Sequence, residues 1–580
     1  MTRDPGLRPR SRMERRLLPP AALLALLVLT GSGGSCSDGH HGTTPESAAV
    51  PEVQAADLGR AELRVVVLTD LKGYLEPCGC TSHPLGGLDR LAARLTAIRS
   101  DGAPTLVVAA GNLFFDEDRH GMDPELSATQ ERWRAETVAD GLTQIGLAAA
   151  APGQGDLREG LESLAALVQR AHFPLVGSGA HVRAGAAAAE ADAGTPAATD
   201  LMRDHVVLDV SGVHVGIIGI AGFEPAAGVE VPADPVAALE AAATAARAEG
   251  ATVIVALVDA TRRDARRWAA AVPGVDVLVA GGLEEDAAHP PSVNGAIVVT
   301  ARQQGQGIAV VELHGLARTG DWVDASTWSR TEERDRHVRE ATDLRARIAE
   351  WERDGTTSAE DLAAQRQHLS DVEAVIAQAA RAPEITGRAF TAAFVPLPDD
   401  SDRDPTVRAL LEGYAQRVNE HNRVALAGVL PPPVAEGQAS YVGTARCGEC
   451  HAEAVTWWGT TLHGHAYQTL VDVHKEYNLS CVGCHVTGYQ RPGGSTVTHL
   501  GEQGELRNVG CENCHGPGSL HSDDPDGGHI ARDMAEDTCL RCHTPEHSDR
   551  FVYDVYRRMM IAPGHGQPST EPTPQTAGGT

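Results

Sequence analysis

The chain is 580 residues long, with 49 Lys plus Arg against 78 Asp plus Glu and a formal net charge of −29. At roughly 150 residues per domain this length allows three or four units, and the acidic balance argues against nucleic acid as a partner, because phosphate binding needs a basic field. A hydrophobic content of 42% excludes wholesale disorder, and a single short apolar run excludes a polytopic membrane protein.

That run is Leu17 to Leu29, preceded by Arg8, Arg10, Arg12, Arg15 and Arg16. A basic start followed by so short a stretch, interrupted by Pro19 and Pro20, reads as an export signal over 1–35 and not as a spanning helix. The run ends in small residues before Cys36 and resembles a bacterial lipoprotein signal, with Gly33 where a Leu is usual. The resemblance implies lipidation of Cys36 and a protein of the periplasm or cell envelope that meets membrane only through that anchor. Residues 36–60 are polar and aperiodic, as a tether is.

From 61 to 320, β-branched runs alternate with amphipathic stretches. The runs are Arg64–Thr69, Thr105–Ala109, His205–Val210, His214–Ile220, Thr252–Val258, Val275–Val279, Ala296–Thr300 and Ile308–Leu313; the stretches include Gly87–Ile98, Gly160–Ala171 and Pro235–Ala246. The pattern predicts an α/β domain with its sheet covered on both faces. Its loop text (Val67 to Pro77, Gly86 to Leu91, Ala109 to Phe114, Pro152 to Asp156) resembles 5'-nucleotidases, which implies an α/β metallophosphatase-like sandwich. An active member of that family holds two cations with imidazoles and carboxylates. Here Asp70 is kept, but Lys72 stands where the first His belongs, Asn112 replaces the bridging Asp, and Asp259 replaces a lone His. With Asp156 these form a remnant pocket, so the resemblance implies a domain without hydrolysis, kept for docking or ligand binding. A metal-dependent phosphoesterase is the alternative. The Lys72 ammonium is expected to stand in for the lost cation against Asp70 and Asp259. Cys78, Cys80 and His83, on the loop after the first strand, read either as a local disulfide or as a thiol site that binds metal or cycles redox state.

Residues 329–426 are charge-rich. Val338, Ala341, Leu344 and Ile348, then Leu369, Val372 and Ile376, recur at helical spacing around a break at Asp354–Ser358. This predicts an antiparallel helical hairpin with Ser358 as an N-cap, acting as a spacer, followed by a helix from Asp404 to about Leu426. Residues 427–440, with Pro431-Pro-Pro, read as a stiff linker.

Eight of the eleven cysteines and twelve of the 25 histidines lie between Tyr441 and His565. They include four Cys-x-x-Cys-His motifs: Cys447, Cys450 and His451; Cys481, Cys484 and His485; Cys511, Cys514 and His515; Cys539, Cys542 and His543. Each suits covalent haem c, with two thiols on the vinyl groups and the adjacent imidazole on iron. Zinc ribbons would use the same thiols but leave the four histidines unexplained, and disulfides would leave them unexplained as well. The text Tyr441-Val-Gly, Trp457 with His463-Gly-His465, Cys481 to Tyr489, and Val509 to His521 resembles the tetrahaem cytochrome c-554 family. The resemblance implies a mostly helical and irregular domain over 441–560, packed around four haems. Among candidate distal iron ligands, His463 and His521 match the family's pattern best, and His465, His474 and His529 follow. Residues 561–580 are expected to be a disordered tail. The whole reads as a multihaem electron carrier with a basic redox partner; the alternative is a haem enzyme acting on a small nitrogen or sulfur oxide.

Overall fold

All eight β-branched runs are strands in the computed structural model, which describes residues 50–77, 83–117, 123–182, 201–224, 228–283, 292–544, 547–548 and 550–562. The export signal, Cys36, Cys78, Cys80, His565 and the tail from 563 lie outside the described residues.

In chain order the first elements are β1 (Leu63–Thr69), α1 (Leu88–Arg99), β2 (Thr105–Gly111), α2 (Pro124–Ile145), β3 (Ala149–Pro152) and α3 (Leu161–Ala171). Next come β4 (Leu175–Val176), β5 (His181–Val182), β6 (Met202–Arg203), β7 (His205–Val210), β8 (Val213–Ile220) and β9 (Val229–Glu230). They continue with α4 (Pro235–Ala248), β10 (Val253–Asp259), α5 (Arg262–Ala271), β11 (Val277–Gly281), β12 (Ser292–Val293), β13 (Ala296–Val299), β14 (Gly307–His314) and β15 (Val323–Asp324). Then follow α6 (Thr327–Asp354), α7 (Ala359–Ala380), β16 (Ala389–Pro396) and α8 (Pro405–Ala425).

The larger strands form two sheets, ordered β15-β16-β14-β1-β2-β3-β4-β6 and β12-β13-β11-β10-β8-β7. Strands β1 to β4 run parallel, as do β8, β10, β11 and β13, while β14 adds antiparallel to β1 and β16 antiparallel to β14. Val65, Val67 and Val108 of the first sheet pack against Ile217, Val255 and Val279 of the second, giving a dry layer between them. The other face of the first sheet buries Leu91, Val138 and Leu164 of α1, α2 and α3, and α4 and α5 cover the second sheet with Leu239 and Trp268. The result is the expected α/β sandwich, buried on both faces of each sheet.

Two boundaries differ from expectation. The sandwich does not end near 320: β16 pairs with β14 over its whole length, and Val407 and Leu411 of α8 are buried in the α1–α2 core. An Ala-rich strand inside a helical region offered little β-branched signal, yet its Phe390 is fully buried between the sheets. Only α6 and α7 stand as the hairpin, closed on Ala341, Leu344, Val372 and Ile376, with Ser358 Oγ accepting the Asp361 N–H. Residues 427–440 are also no free spacer. Val429 O accepts the Thr496 hydroxyl at 2.9 Å and Pro432 O accepts the Gly493 N–H at 2.9 Å, so this strap lies along the C-terminal segment.

That segment contains only short helices, α9 (Thr444–Cys447), α10 (Ala452–Trp458), α11 (Ala466–Val471), α12 (Leu479–Val482), α13 (Cys511–His515), α14 (Ser519–Asp523), α15 (Glu536–Leu540) and α16 (Tyr553–Met559). Its apolar core is small, built on Tyr467, Val482, Val486, Val497 and Leu500. Among the described residues no helix is long and apolar enough to cross a membrane.

Candidate functional sites: a closed carboxylate pocket and a cysteine–histidine segment

The carboxyl ends of parallel strands from both sheets converge, which is where open α/β sheets usually place a site. Asp70 follows β1, Asn112 follows β2, Asp156 follows β3 and Asp259 ends β10. The sheets approach so closely here that a Cβ on Gly281 would lie 2.5 Å from the Gly111 nitrogen. Asp70 and Lys72 both adopt left-handed backbone, with φ of 49° and 53°, a conformation that costs about 1–2 kcal/mol per non-glycine residue. Hydrogen bonds hold it, from Lys72 N–H to Asn112 O at 2.9 Å and from Gln304 N–H to Asp70 O at 2.7 Å.

The donors that could serve a cation are largely occupied by backbone. Asp70 accepts from Gly282 N–H at 2.9 Å and Asn112 N–H at 3.2 Å. The fully buried Asp156 accepts from Leu113 at 2.9 Å and Phe114 at 2.7 Å, and Asn112 Oδ1 accepts from Gly155 at 2.7 Å. Burial pushes Asp70 up to about 6, with the Gly282 and Asn112 amides and the Lys72 charge pulling the other way. Burial likewise raises Asp156 to about 7, and burial with the neighbouring Asp70 and Asp156 raises Asp259 to about 7. Lys72 does not pair directly as expected. Its partly buried ammonium lies 3.7 Å from Asp116 Oδ1, a residue the sequence offered no reason to single out. Among the described residues no cluster of three or more His, Cys, Asp or Glu reaches metal-holding geometry.

The C-terminal segment brings its own groups together. Each first cysteine sits in a short helical turn, and in the first and last motifs the histidine N–H bonds back to that cysteine's carbonyl at 2.9 Å. None of the eight cysteines of this segment is joined in a disulfide. The Cys447 thiol neighbours that of Cys511 and the Cys484 thiol that of Cys542, so the first motif lies beside the third and the second beside the fourth; α13 packs against both α9 and α15. His451 faces His521 with ring centres 6.5 Å apart and planes 18° apart, and His463 faces His543 at 6.1 Å. Two imidazoles trans across one metal, with bonds of about 2 Å each, would stand at such a spacing. The His521 Nδ1 is buried without a hydrogen-bond partner.

Three motif histidines are oriented through Nδ1, by Ala466 O at 2.5 Å for His485, Ala531 O at 2.7 Å for His515 and Ser548 Oγ at 2.9 Å for His543. The two carbonyl bonds select the tautomer with a free Nε2 lone pair, the form a metal needs, while the Ser548 hydroxyl can accept from Nδ1–H or donate to a bare Nδ1. Of the remaining candidates, His465 and His474 are exposed, and His529 is exposed with Asp524 at 3.5 Å. His83 bonds Arg550 at 3.0 Å, next to the C-terminal segment. Apolar side chains such as Leu462 (90% exposed), Val552 and Val555 stand outside the small core, a surface suited to a large apolar cofactor face. Thiols, oriented imidazoles and apolar walls together fit covalent haem.

Residues 446–516 match the family model described as Cytochrome c554 and c-prime. This segment is similar to the cytochromes c554. Cytochrome c-554 of Nitrosomonas europaea is 35% identical over 95 residues, which cover 14% of this chain and 40% of that relative. The chain therefore spans less than half of the curated relative it matches. The matched residues include the first three of the four Cys-x-x-Cys-His motifs, the residues that covalent haem c requires. Solved structures with a related course include a 5'-nucleotidase precursor from Thermus thermophilus, at 18% identity over 66% of this chain and 62% of that one with a TM-score of 0.39. The sulfate thiohydrolase SoxB of Thermus thermophilus, solved with glycerol, follows at 13% identity over 63% and 62%, TM-score 0.40.

Glu512, between the cysteines of the third motif, had given no functional signal. It is buried and accepts N–H bonds from Val442, Gly443 and Gly518 at 2.7–2.9 Å, fastening the strap that leads into the segment.

Proposed function

We propose that this chain is an exported electron carrier that binds four haems c at Cys447–Cys450, Cys481–Cys484, Cys511–Cys514 and Cys539–Cys542, with His451, His485, His515 and His543 as proximal iron ligands. The observation that carries the reading is the two close imidazole pairs, His451 with His521 and His463 with His543, the second tilted by 60°. Haem c supplies a one-electron ferric–ferrous couple when bound. The chain's residues attach it, orient the ligand nitrogens and surround it with apolar walls. Motif adjacency supports an electron path in the order first, third, fourth, second. His521 and His463 serve as distal ligands, and full bis-histidine ligation would keep substrates off those irons.

The nucleotidase-like sandwich in this reading does not hydrolyse phosphate. Its cation positions are replaced by Lys72 and Asn112, and the Asp70 and Asp156 carboxylates are held by backbone N–H groups. It serves as the base on which the haem segment is mounted and as a docking surface. The net charge of −29 suits a basic redox partner, whose association should weaken with salt. Residues 1–36 direct export and lipid anchoring to the cell envelope.

EPR of ferric His463→Ala tests the reading. We expect one low-spin signal to be replaced by a high-spin one with the haem count unchanged. A wild-type protein already showing a high-spin haem that binds cyanide would move the reading to a haem enzyme acting on a small nitrogen or sulfur oxide.

A further inference from the structure

The fourth motif is held differently from the second and third. His485 and His515 direct Nδ1 at main-chain carbonyls, whereas His543 directs it at a side-chain hydroxyl, Ser548 Oγ at 2.9 Å. A turn places that hydroxyl, with Ser548 N–H on Thr544 O at 2.8 Å and Phe551 N–H on Ser548 O at 3.0 Å. The same turn lays the Phe551 ring flat on the His543 ring, with centroids 4.4 Å apart and planes 14° apart. Tyr556 of α16 backs Phe551 at 5.1 Å, and the Tyr553 hydroxyl donates to Met534 O, pinning α16 in place. This device lies beyond residues 446–516, the part matched by the cytochrome c554 model.

Two physical consequences follow. A face-to-face aromatic partner restricts rotation of the imidazole about its bond to the metal, fixing the plane that the ring presents. The acceptor on Nδ1 sets ligand basicity: a stronger acceptor draws the proton, enriches the imidazole and favours ferric iron. A hydroxyl is a rotatable acceptor that can also act as a donor, unlike a fixed main-chain carbonyl.

We propose that Ser548 and Phe551 are positioning residues for His543, setting the basicity and plane of that ligand and thereby the reduction potential of the haem at Cys539–Cys542. The proposal rests on the reading that this motif carries haem. Redox titration of the full-length holoprotein, followed optically and by EPR with haem counted by pyridine haemochrome, tests it. In Ser548→Asp one midpoint should move to lower potential with the haem count unchanged, while Ser548→Thr keeps the wild-type value. In Phe551→Leu the EPR g-values of that same haem should shift. Unchanged midpoints and g-values in Ser548→Asp and Phe551→Leu, at full haem content, would overturn the assignment. A wild-type protein lacking haem on Cys539 and Cys542 by peptide mass mapping would remove the underlying reading instead, and the proposal with it.

Discussion

Asp259 sits in the most crowded part of the carboxylate pocket. Its carboxylate lies so close to the chain that a Cβ on Gly222 would fall 1.9 Å from Oδ2. Burial and three neighbouring carboxylates, Asp70, Asp156 and Glu117, against one lysine, raise it to about 7. An acid whose folded pKa lies above its unfolded value, near 3.9 for Asp, binds more protons folded than unfolded between the two. Stability therefore falls as pH rises through that window. Asp70, raised to about 6, and Asp156, raised to about 7, contribute with the same sign. Asp259→Asn should leave the thermal midpoint near pH 4 unchanged and raise it near pH 8. Equal effects at both pH values, measured by calorimetry, would show that the carboxyl is not held protonated. Lys72 and Asn112 were legible as substitutions because the loop text around them resembles the nucleotidases. Asp116, the actual partner of Lys72, was not, because a pair brought together by tertiary folding leaves no local spacing to read.

At the scale of elements, the two halves of the molecule meet on α2. Gln130, 1% exposed, donates to Asn478 Oδ1 at 3.0 Å and Ser480 Oγ at 3.1 Å, and accepts from Asn422 Nδ2 at 3.0 Å and Leu479 N–H at 3.1 Å. One amide thus joins the sandwich, α8 and the turn that opens the second Cys-x-x-Cys-His motif. Gln130→Ala removes four hydrogen bonds from this joint and takes the partner of the Leu479 N–H, an unsatisfied group costing about 1–3 kcal/mol. The expected outcome is lower stability with faster hydrogen exchange at residues 477–482; protection unchanged there would rule out this joint. Eight longer strands and helices α1, α3, α4 and α6 to α8 were readable from β-branched runs and helical spacing. Helix α2 was missed because its buried face mixes Ser127, Gln130 and Glu131 with Ala135 and Val138, so no clean apolar stripe marks it. A buried polar face is visible only once the segment it binds is in place.

For the whole molecule, Glu76 ties the pocket loop to the haem segment. Burial pushes its carboxyl up, but Lys475 at 2.5 Å and Arg408 at 3.1 Å outweigh that and hold it below the usual carboxylate range. The sandwich is thus a mount for the cysteine–histidine segment, and the expected spacer between them is largely absorbed into both. Motif spacing alone announced the thiols and proximal histidines. The facing pairs needed the fold, because His521 reaches His451 from 70 residues away in the chain. If the proposed loss of hydrolysis holds, the purified protein with Mn²⁺ releases no phosphate from a nucleotide above a no-protein control, and steady turnover would restore hydrolysis as its function. Intact-mass spectrometry of the purified holoprotein combined with pyridine haemochrome quantitation counts the cofactors that the proposed electron carrier requires. Four covalent haems per chain are predicted. Fewer than four, or thiols occupied by zinc without a haem spectrum, would contradict it.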